Sequence, residues 1–196
     1  MATHLETTAS AAFVPNTPPR VSTGLYTPEE RARRDATAWT WVQGVLAPVQ
    51  FLVFLASLGL VLRYLATGEG LAWAHGSIVL KTLVLYTIMV TGCIWEKVVF
   101  GRYLFAPAFF WEDVFSMAVL ALHTAYLVAL GTGWLGDRAL MGLALAAYAT
   151  YVINAAQFLL KLRAARLQEA AMARAQSTSK TLRFLEALKL AVQTGV

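Results

Sequence analysis

The chain has 196 residues, of which 58% are hydrophobic and 14% charged, with a formal net charge of +5 and a mean hydropathy of +0.58. Soluble domains are roughly 45–50% apolar and about 25% charged, so this composition excludes an ordinary soluble domain and a chain that is disordered over most of its length. The single cysteine, Cys93, excludes an internal disulfide framework and a multi-cysteine metal site. The composition therefore indicates a membrane protein.

The N-terminal segment from Met1 to Ser22 is rich in Ala, Thr and Pro and has no apolar stretch of the kind that a signal peptide needs. We expect residues 1–24 to form a disordered tail. Thr27 and Glu30 have the spacing of a capping box, with Pro28 at the first helical position. This pattern predicts a short interfacial helix within residues 25–38.

Four segments are candidates for crossing a bilayer core of about 30 Å, which takes roughly 20 apolar residues. Charge-free runs cover 27 residues from Ala36, 23 from Val114 and 22 from Ala139. The remaining span is weaker, because it includes Lys81, whose long side chain would have to reach the headgroups. The predicted spans are about 40–63, 77–96, 113–134 and 139–161. Their short connections predict an antiparallel four-helix bundle, the membrane domain at residues 39–162.

Lysine and arginine predict the orientation of these spans. With four spans, thirteen basic residues fall on the side of the termini and three on the other, which by the positive-inside rule predicts cytoplasmic termini. All six tryptophans lie near predicted span ends, as in an aromatic belt. The basic excess is thereby assigned to topology, and it does not indicate binding to nucleic acid.

The C-terminal segment, residues 163–196, is alanine-rich and has leucines at positions 182, 185 and 188. This spacing predicts an amphipathic helix, which either lies on the membrane surface or binds a partner.

Two polar stripes are predicted inside the bundle, and charged or polar groups are costly to place there. At 100° per residue, Glu112, Ser116 and His123 share one face of the third span, with Tyr126 close to it. Thr150, Asn154, Gln157 and Lys161 form a second stripe on the fourth span. The stripes indicate either an interior site or interhelical hydrogen bonds that only hold the bundle together.

A second concentration of chemistry lies between the second and third spans, at their cytoplasmic ends. Three carboxylates, two cations and an aromatic run occur there within eighteen positions, which would suit a flat amphiphilic ligand or would simply mark the membrane boundary. The residues are Glu96, Lys97, Arg102, Phe109, Phe110, Trp111, Glu112 and Asp113.

Several segments of the sequence closely resemble the 3-vinyl bacteriochlorophyllide hydratase family of anoxygenic phototrophs. They are LYTPEERARRD (25–35), WVQGVLAPVQFLVF (41–54), RYLATGEG (63–70), KTLVLYTIMVTGCIWEKVVFGRYLFAPAFFWEDVFSM (81–117) and ALHTAYL (121–127). The resemblance runs from about Leu25 to Ala165, and WEKVVFG and FAPAFFWEDVFSM are its most distinctive parts. It implies a hydro-lyase of the bacterial inner, photosynthetic membrane that hydrates the C3 vinyl group of (bacterio)chlorophyllide a to a 1-hydroxyethyl group. Other enzymes of bacteriochlorophyll synthesis are possible partners, and no separate cofactor is implied.

Hydration of a vinyl group needs a general acid, a positioned water and a group that takes the proton of that water. A carboxylic acid beside apolar walls can hold its proton at neutral pH, which favours Glu96, Glu112 and Asp113. Glu112 is the first candidate acid, because it faces the bundle interior. Glu96 is the second, since it is expected to approach Glu112. Asp113 is expected to act as a base, to pair with Lys97 or Arg102, or to be a charge that the dipole favours at a helix N-terminus.

Substrate anchoring is predicted from the same region. Lys97 or Arg102 would bind the propionate carboxylate that chlorophyllide keeps, and Phe109, Phe110 and Trp111 would stack on the ring. His123 is either an axial ligand to the magnesium of the substrate or the donor of a structural hydrogen bond. It lies ten residues, roughly 15 Å, from Asp113, so both are not expected to act directly on one bound ring.

Three other classes of function are compatible with a small membrane bundle. A di-haem electron carrier would need paired histidines within the spans, and a transporter would usually have a mid-membrane carboxylate or a broken helix. A non-catalytic chlorin carrier or assembly factor is the main alternative, because it would share the pigment site but need no acid.

Overall fold

The computed structural model of the protein describes residues 24–194, so the predicted disordered tail lies outside them except for Gly24. Five helices follow one another: α1 (Pro28–Ala36), α2 (Ala38–Thr67), α3 (Leu71–Phe100), α4 (Phe110–Thr132) and α5 (Asp137–Thr194). The described residues contain no strand, which confirms the all-α prediction. Helices α2 to α5 are each long and apolar enough to cross a membrane, which confirms the four predicted spans.

A glycine in the left-handed conformation follows each of the helices α2, α3 and α4. Gly68, which follows α2, has φ 75°, and Gly101, which follows α3, has φ 78°. Only glycine takes this left-handed conformation without a steric cost, so the chain stops its helix there and turns. Because the turn after α2 is short, α3 already begins at Leu71, six residues before the predicted span at 77. Lys81 therefore lies well inside the helix.

Helix α1 begins as its capping box predicts. The Thr27 hydroxyl accepts from the Glu30 backbone N–H at 3.2 Å, and the Glu30 carboxylate accepts from the Thr27 N–H at 2.8 Å. The helix lies against the end of α3, because Arg33 Nε donates to the Val99 carbonyl at 2.8 Å. Arg31 also forms a 3.1 Å ion pair with Glu169 of α5.

Helix α5 runs for 58 residues without a break and continues past the predicted boundary near residue 162. No proline occurs after Pro107, and no glycine lies between Gly142 and Gly195. Because nothing in this stretch terminates a helix, the last membrane span continues directly into the C-terminal segment.

The four long helices pack as two antiparallel hairpins. Helix α2 packs along α3 and α4 along α5, and the hairpins meet through the pairs α2·α5 and α3·α4. Small side chains at the centre, among them Ala74, Ala129 and Ala144, allow the backbones to approach closely, as is usual for helices in a membrane. The nine-residue loop 101–109, here the α3–α4 loop, marks the loop end of the bundle. The turns 68–70 and 133–136 mark the opposite end.

An aromatic cluster closes the loop end. Phe109 is buried against Tyr26, Trp95, Phe100 and Phe158, with ring centroids 5.8 to 6.3 Å apart. The cluster joins the segment before α1, the ends of α3 and α4, and α5, so it fixes the position of the α3–α4 loop.

Candidate active site

Two carboxyl groups from different helices meet beneath the α3–α4 loop. Glu96 lies in the last turns of α3 and Asp113 in the first turn of α4, and both are buried. Their side chains lie within hydrogen-bonding reach of each other. Since an ionised carboxylate has no proton to donate, a hydrogen bond between the two groups would require one shared proton. We call Glu96 and Asp113 the carboxyl pair.

The α3–α4 loop covers this pair with its own backbone. Phe105 N–H donates to Asp113 Oδ2 at 2.7 Å, and the next amide, Ala106 N–H, donates to Glu96 Oε2 at 3.4 Å. Phe105 has φ 58°, a left-handed conformation that is uncommon for a bulky residue. The loop therefore carries backbone strain at the residue that binds Asp113, and such strain tends to cluster at functional sites.

The carboxyl pair differs from two sequence predictions. Glu96 was expected to approach Glu112, but it lies within hydrogen-bonding reach of Asp113. Of the alternatives for Asp113, pairing with Lys97 or Arg102 is not observed, since it accepts from the Phe105 N–H, whereas its position in the first turn of α4 agrees with a charge at a helix N-terminus. The path of the α3–α4 loop, which brings the ends of α3 and α4 together, decides these partners.

Glu112 is buried and forms an ion pair across the bundle. Its Oε2 is 2.6 Å from Lys161 Nζ, and the same ammonium lies 5.1 Å from the centre of the Phe109 ring. A carboxylate held this closely by an ammonium is a poor proton donor. Among the three predicted acids, Glu112 therefore has the least suitable surroundings for that role.

The predicted substrate-anchoring residues lie at the same loop end of the bundle as the carboxyl pair. Lys97 is exposed and donates to the Gly101 carbonyl at 2.9 Å, and Arg102 is also exposed. Trp111 is 66% exposed and meets Phe110 edge-to-face at 5.5 Å, while Phe110 lies 5.7 Å from Phe105. These three rings, Phe105, Phe110 and Trp111, form an exposed aromatic face. Phe109 differs from its prediction, because it points into the buried aromatic cluster.

The two predicted polar stripes face each other between α4 and α5. Asn154 Nδ2 donates to Ser116 Oγ at 2.9 Å, one to two turns below the Glu112–Lys161 pair. Thr150 does not take part, because its hydroxyl bonds to the Ala146 carbonyl of its own helix. Three of the four residues predicted for the α5 stripe thus have polar atoms that are buried or in contact with α4.

His123 and Lys81 are fully buried in the middle of the bundle. His123 Nδ1 lies 2.8 Å from the Val119 carbonyl, so Nδ1 carries the proton and Nε2 carries a lone pair. Lys81 does not extend to the headgroups as its sequence position suggested. Its Nζ lies over the Tyr151 ring, 4.0 Å from the centre. The signal for this was present in the sequence, since a charge inside a span is by default a functional candidate.

His75 lies within α3 near the opposite end of the bundle. Its Nδ1 is 2.5 Å from the Tyr126 hydroxyl, and its Nε2 is 3.8 Å from Asp137. A polar route thus leads inward from this end.

These features define a class of protein: a four-span membrane protein with a buried carboxyl pair beside exposed aromatic rings at one membrane boundary. The chain matches the model of the 2-vinyl bacteriochlorophyllide hydratase (BCHF) family over residues 26–164, and it belongs to that family.

Two curated relatives carry the name of this family. The chain is 72% identical over 153 residues to the 2-vinyl bacteriochlorophyllide hydratase of Cereibacter sphaeroides. The aligned region covers 78% of this chain and 95% of the relative. The chain is 70% identical over 158 residues to the enzyme of that name from Rhodobacter capsulatus, covering 80% of this chain and 92% of the relative. No solved structure matches the chain. The resemblance read from the sequence is thereby confirmed.

Proposed function

We propose that this chain adds water to the vinyl group at position 3 (position 2 in the older ring numbering) of (bacterio)chlorophyllide a, which gives the 3-(1-hydroxyethyl) product. The family match and the identity to two hydratases of bacteriochlorophyll synthesis support a hydratase of that pathway. The carboxyl pair is the structural observation that carries the mechanism, because it combines a proton donor and a proton acceptor in one place.

Within the pair, Glu96 is assigned as the acid and Asp113 as the base. Asp113 lies in the first turn of α4, where the helix dipole stabilises a negative charge, and accepts a short bond from Phe105 N–H. Glu96 lies near the end of α3, where the dipole disfavours a carboxylate, and its backbone donor is more distant, at 3.4 Å. The shared proton therefore resides on Glu96.

The reaction then balances without any other reagent. Glu96 donates its proton to the terminal vinyl carbon as the double bond opens, and the inner carbon becomes a cation delocalised into the macrocycle. The oxygen of a water molecule binds this carbon, and Asp113 takes the released proton. Proton exchange within the pair restores the starting state. Addition of water involves no net oxidation or reduction, so the mechanism needs no redox cofactor, and magnesium enters only as part of the substrate.

The substrate ring is placed on the aromatic face, beside the loop that covers the carboxyl pair. Trp111 and Phe110 offer exposed rings for stacking, and Lys97 and Arg102 offer cations for the propionate. Arg102 is better suited to a two-point contact with a carboxylate. In this arrangement the ring lies flat at the membrane boundary, where its apolar body contacts lipid and its propionate contacts water.

We place the protein in the bacterial inner, photosynthetic membrane, with both termini in the cytoplasm. The unequal distribution of Lys and Arg supports this orientation, and it puts the carboxyl pair on the cytoplasmic side. Other enzymes of bacteriochlorophyll synthesis are the proposed partners there, because they supply and consume the same lipid-soluble pigments.

Purified protein in detergent, incubated with vinyl chlorophyllide, tests the function directly. The expected result is the hydroxyethyl product, with a blue shift of the long-wavelength absorption band. Pigment binding without product would contradict the hydratase and would indicate a chlorin carrier.

A further inference from the structure

Several buried polar atoms inside the bundle have no hydrogen-bond partner within residues 24–194. They are Gln50 Oε1, Lys81 Nζ, His123 Nε2, Asn154 Oδ1 and Gln157 Oε1. Leaving a buried polar group unpaired costs about 1–3 kcal/mol, and an ammonium costs more. Membrane bundles do not usually accumulate such costs in one region without a function.

All of these residues except Gln50 of α2 lie on α3, α4 and α5, at successive levels from mid-membrane toward the loop end. From Lys81 and His123 at mid-membrane, the Ser116–Asn154 hydrogen bond lies two helical turns, about 10 Å, nearer the loop end. Gln157 lies one turn beyond Asn154, and Lys161 one turn further, paired with Glu112. We call this series the polar seam, and its members are Lys81, His123, Ser116, Asn154, Gln157, Lys161 and Glu112.

The chemistry of the unpaired atoms selects their ligand. Lys81 can only donate, whereas His123 Nε2 and the amide oxygens of Gln50, Asn154 and Gln157 can only accept. An anion is disfavoured because it would be repelled by the four hydrogen-bond acceptors. A metal cation is disfavoured because it would be repelled by the Lys81 ammonium. A small neutral molecule that both donates and accepts satisfies both kinds of group, and water is the one that membrane proteins hold in such places.

We propose that the polar seam holds a file of water molecules that leads to the carboxyl pair. Its loop end is Glu112, which is next to Asp113 in the first turn of α4. At its other end Tyr126, one turn from His123, bonds to His75, whose imidazole faces the exposed Asp137. The file thus connects one membrane surface with the site of hydration. The role of the file in supplying water for the reaction rests on the proposed function. The presence of water in the polar seam does not depend on that function.

Hydration of the seam is measured without substrate. Uniformly ¹⁵N-labelled protein is placed in lipid bilayers and examined by water-edited solid-state NMR. We expect rapid transfer of proton polarisation from water to His123 and Asn154, close to that seen for His75. The backbone amide of Met141, in the apolar core, is the negative control. Transfer to His123 and Asn154 as slow as to Met141 would overturn the proposal.

A second measurement tests whether the seam serves catalysis. Asn154→Leu removes one side chain of the file, and Ser116→Ala is a milder variant in case the first does not fold. Thr150→Val, one turn from Asn154 and bonded only within α5, is the matched control. We expect turnover to fall several-fold in the first two variants with substrate affinity unchanged, and the control to match wild type. Wild-type turnover in Asn154→Leu and Ser116→Ala would overturn the supply role, whereas an inactive wild type would instead contradict the proposed function.

Discussion

Glu96 and Asp113 lie on different helices, seventeen positions apart, and yet meet within hydrogen-bonding reach beneath a loop whose amides bind them both. Neither residue has a cation as its closest partner. This distinguishes the carboxyl pair from Glu112, which is only one position from Asp113 but is bound to Lys161. The different surroundings of the three acids lead to the first two predictions.

Glu96→Gln removes the proposed acid while keeping the size and hydrogen-bonding capacity of the side chain. We expect turnover to fall by about 100-fold or more, in line with loss of general-acid catalysis, with little change in pigment binding. Asp113→Asn is expected to act similarly. Glu69→Gln, on the exposed turn at the opposite end, is the control. Near wild-type turnover in folded Glu96→Gln and Asp113→Asn would exclude the pair as the acid and base.

Glu112→Gln and Lys161→Met each break a buried ion pair and leave one partner uncompensated. Breaking a fully buried ion pair lowers the free energy of unfolding by about 3–5 kcal/mol. The Lys161 side chain is 25% exposed, so the decrease here should be smaller. The double variant should recover much of the stability, because no charge is then left alone. Thermal unfolding in detergent measures this effect, and strictly additive losses would contradict direct pairing.

Axial ligation of magnesium by His123 stays a prediction, which a metal-free substrate tests. If Nε2 binds magnesium, His123→Leu weakens binding of the magnesium chlorin and leaves binding of the metal-free chlorin unchanged. If His123 belongs to the polar seam, the variant lowers turnover equally for both substrates and leaves both affinities unchanged. We expect the second result, since His123 Nε2 is fully enclosed by the packed helices.

Arg102→Gln tests the anchoring of the propionate. Losing a charge-assisted contact should raise KM for the free-acid substrate by roughly tenfold, given about 1.5 kcal/mol for a hydrogen bond to a charged group. The methyl ester of the same chlorin has no carboxylate, so its KM should be the same for wild type and variant. An equal rise in KM for both substrates would show that Arg102 does not bind the propionate.

The orientation is tested by cysteine labelling in a Cys93→Ser background. Glu69→Cys lies on the turn between α2 and α3, and Asp35→Cys lies on α1; both native side chains are exposed. An impermeant maleimide applied to intact cells from the periplasm should label the first and not the second. The reverse pattern would invert the topology and place the carboxyl pair on the periplasmic side.

The sequence predicts those features that depend on local order along the chain. The charge-free runs locate the four spans, the Thr27–Glu30 spacing predicts the cap of α1, and the helical period places Ser116 and His123 on one buried face. The carboxyl pair could not be predicted this way, because its contact depends on how nine loop residues fold back over the helix ends.

Lys81 shows the second limit of sequence-based prediction. A predicted span beginning at 77 puts this lysine near the membrane boundary, where snorkelling is cheap. The helix begins at Leu71 instead, so Lys81 lies ten residues inside it and faces Tyr151. A shift of six residues in one helix start therefore changes a boundary residue into a member of the bundle interior.

The unbroken course of α5 has a mechanical consequence. The family match ends at residue 164, but the helix continues to Thr194, so its 58 residues form a rod of about 87 Å. Asn154 and Lys161 lie on the same rod as Glu169, which is clamped to α1 by Arg31. Because the helix is continuous, a rotation of its exposed C-terminal part about the contact with α1 also turns the residues that face α4. The 25 residues of the helix beyond Glu169 are thus coupled mechanically to the helix face that packs on α4.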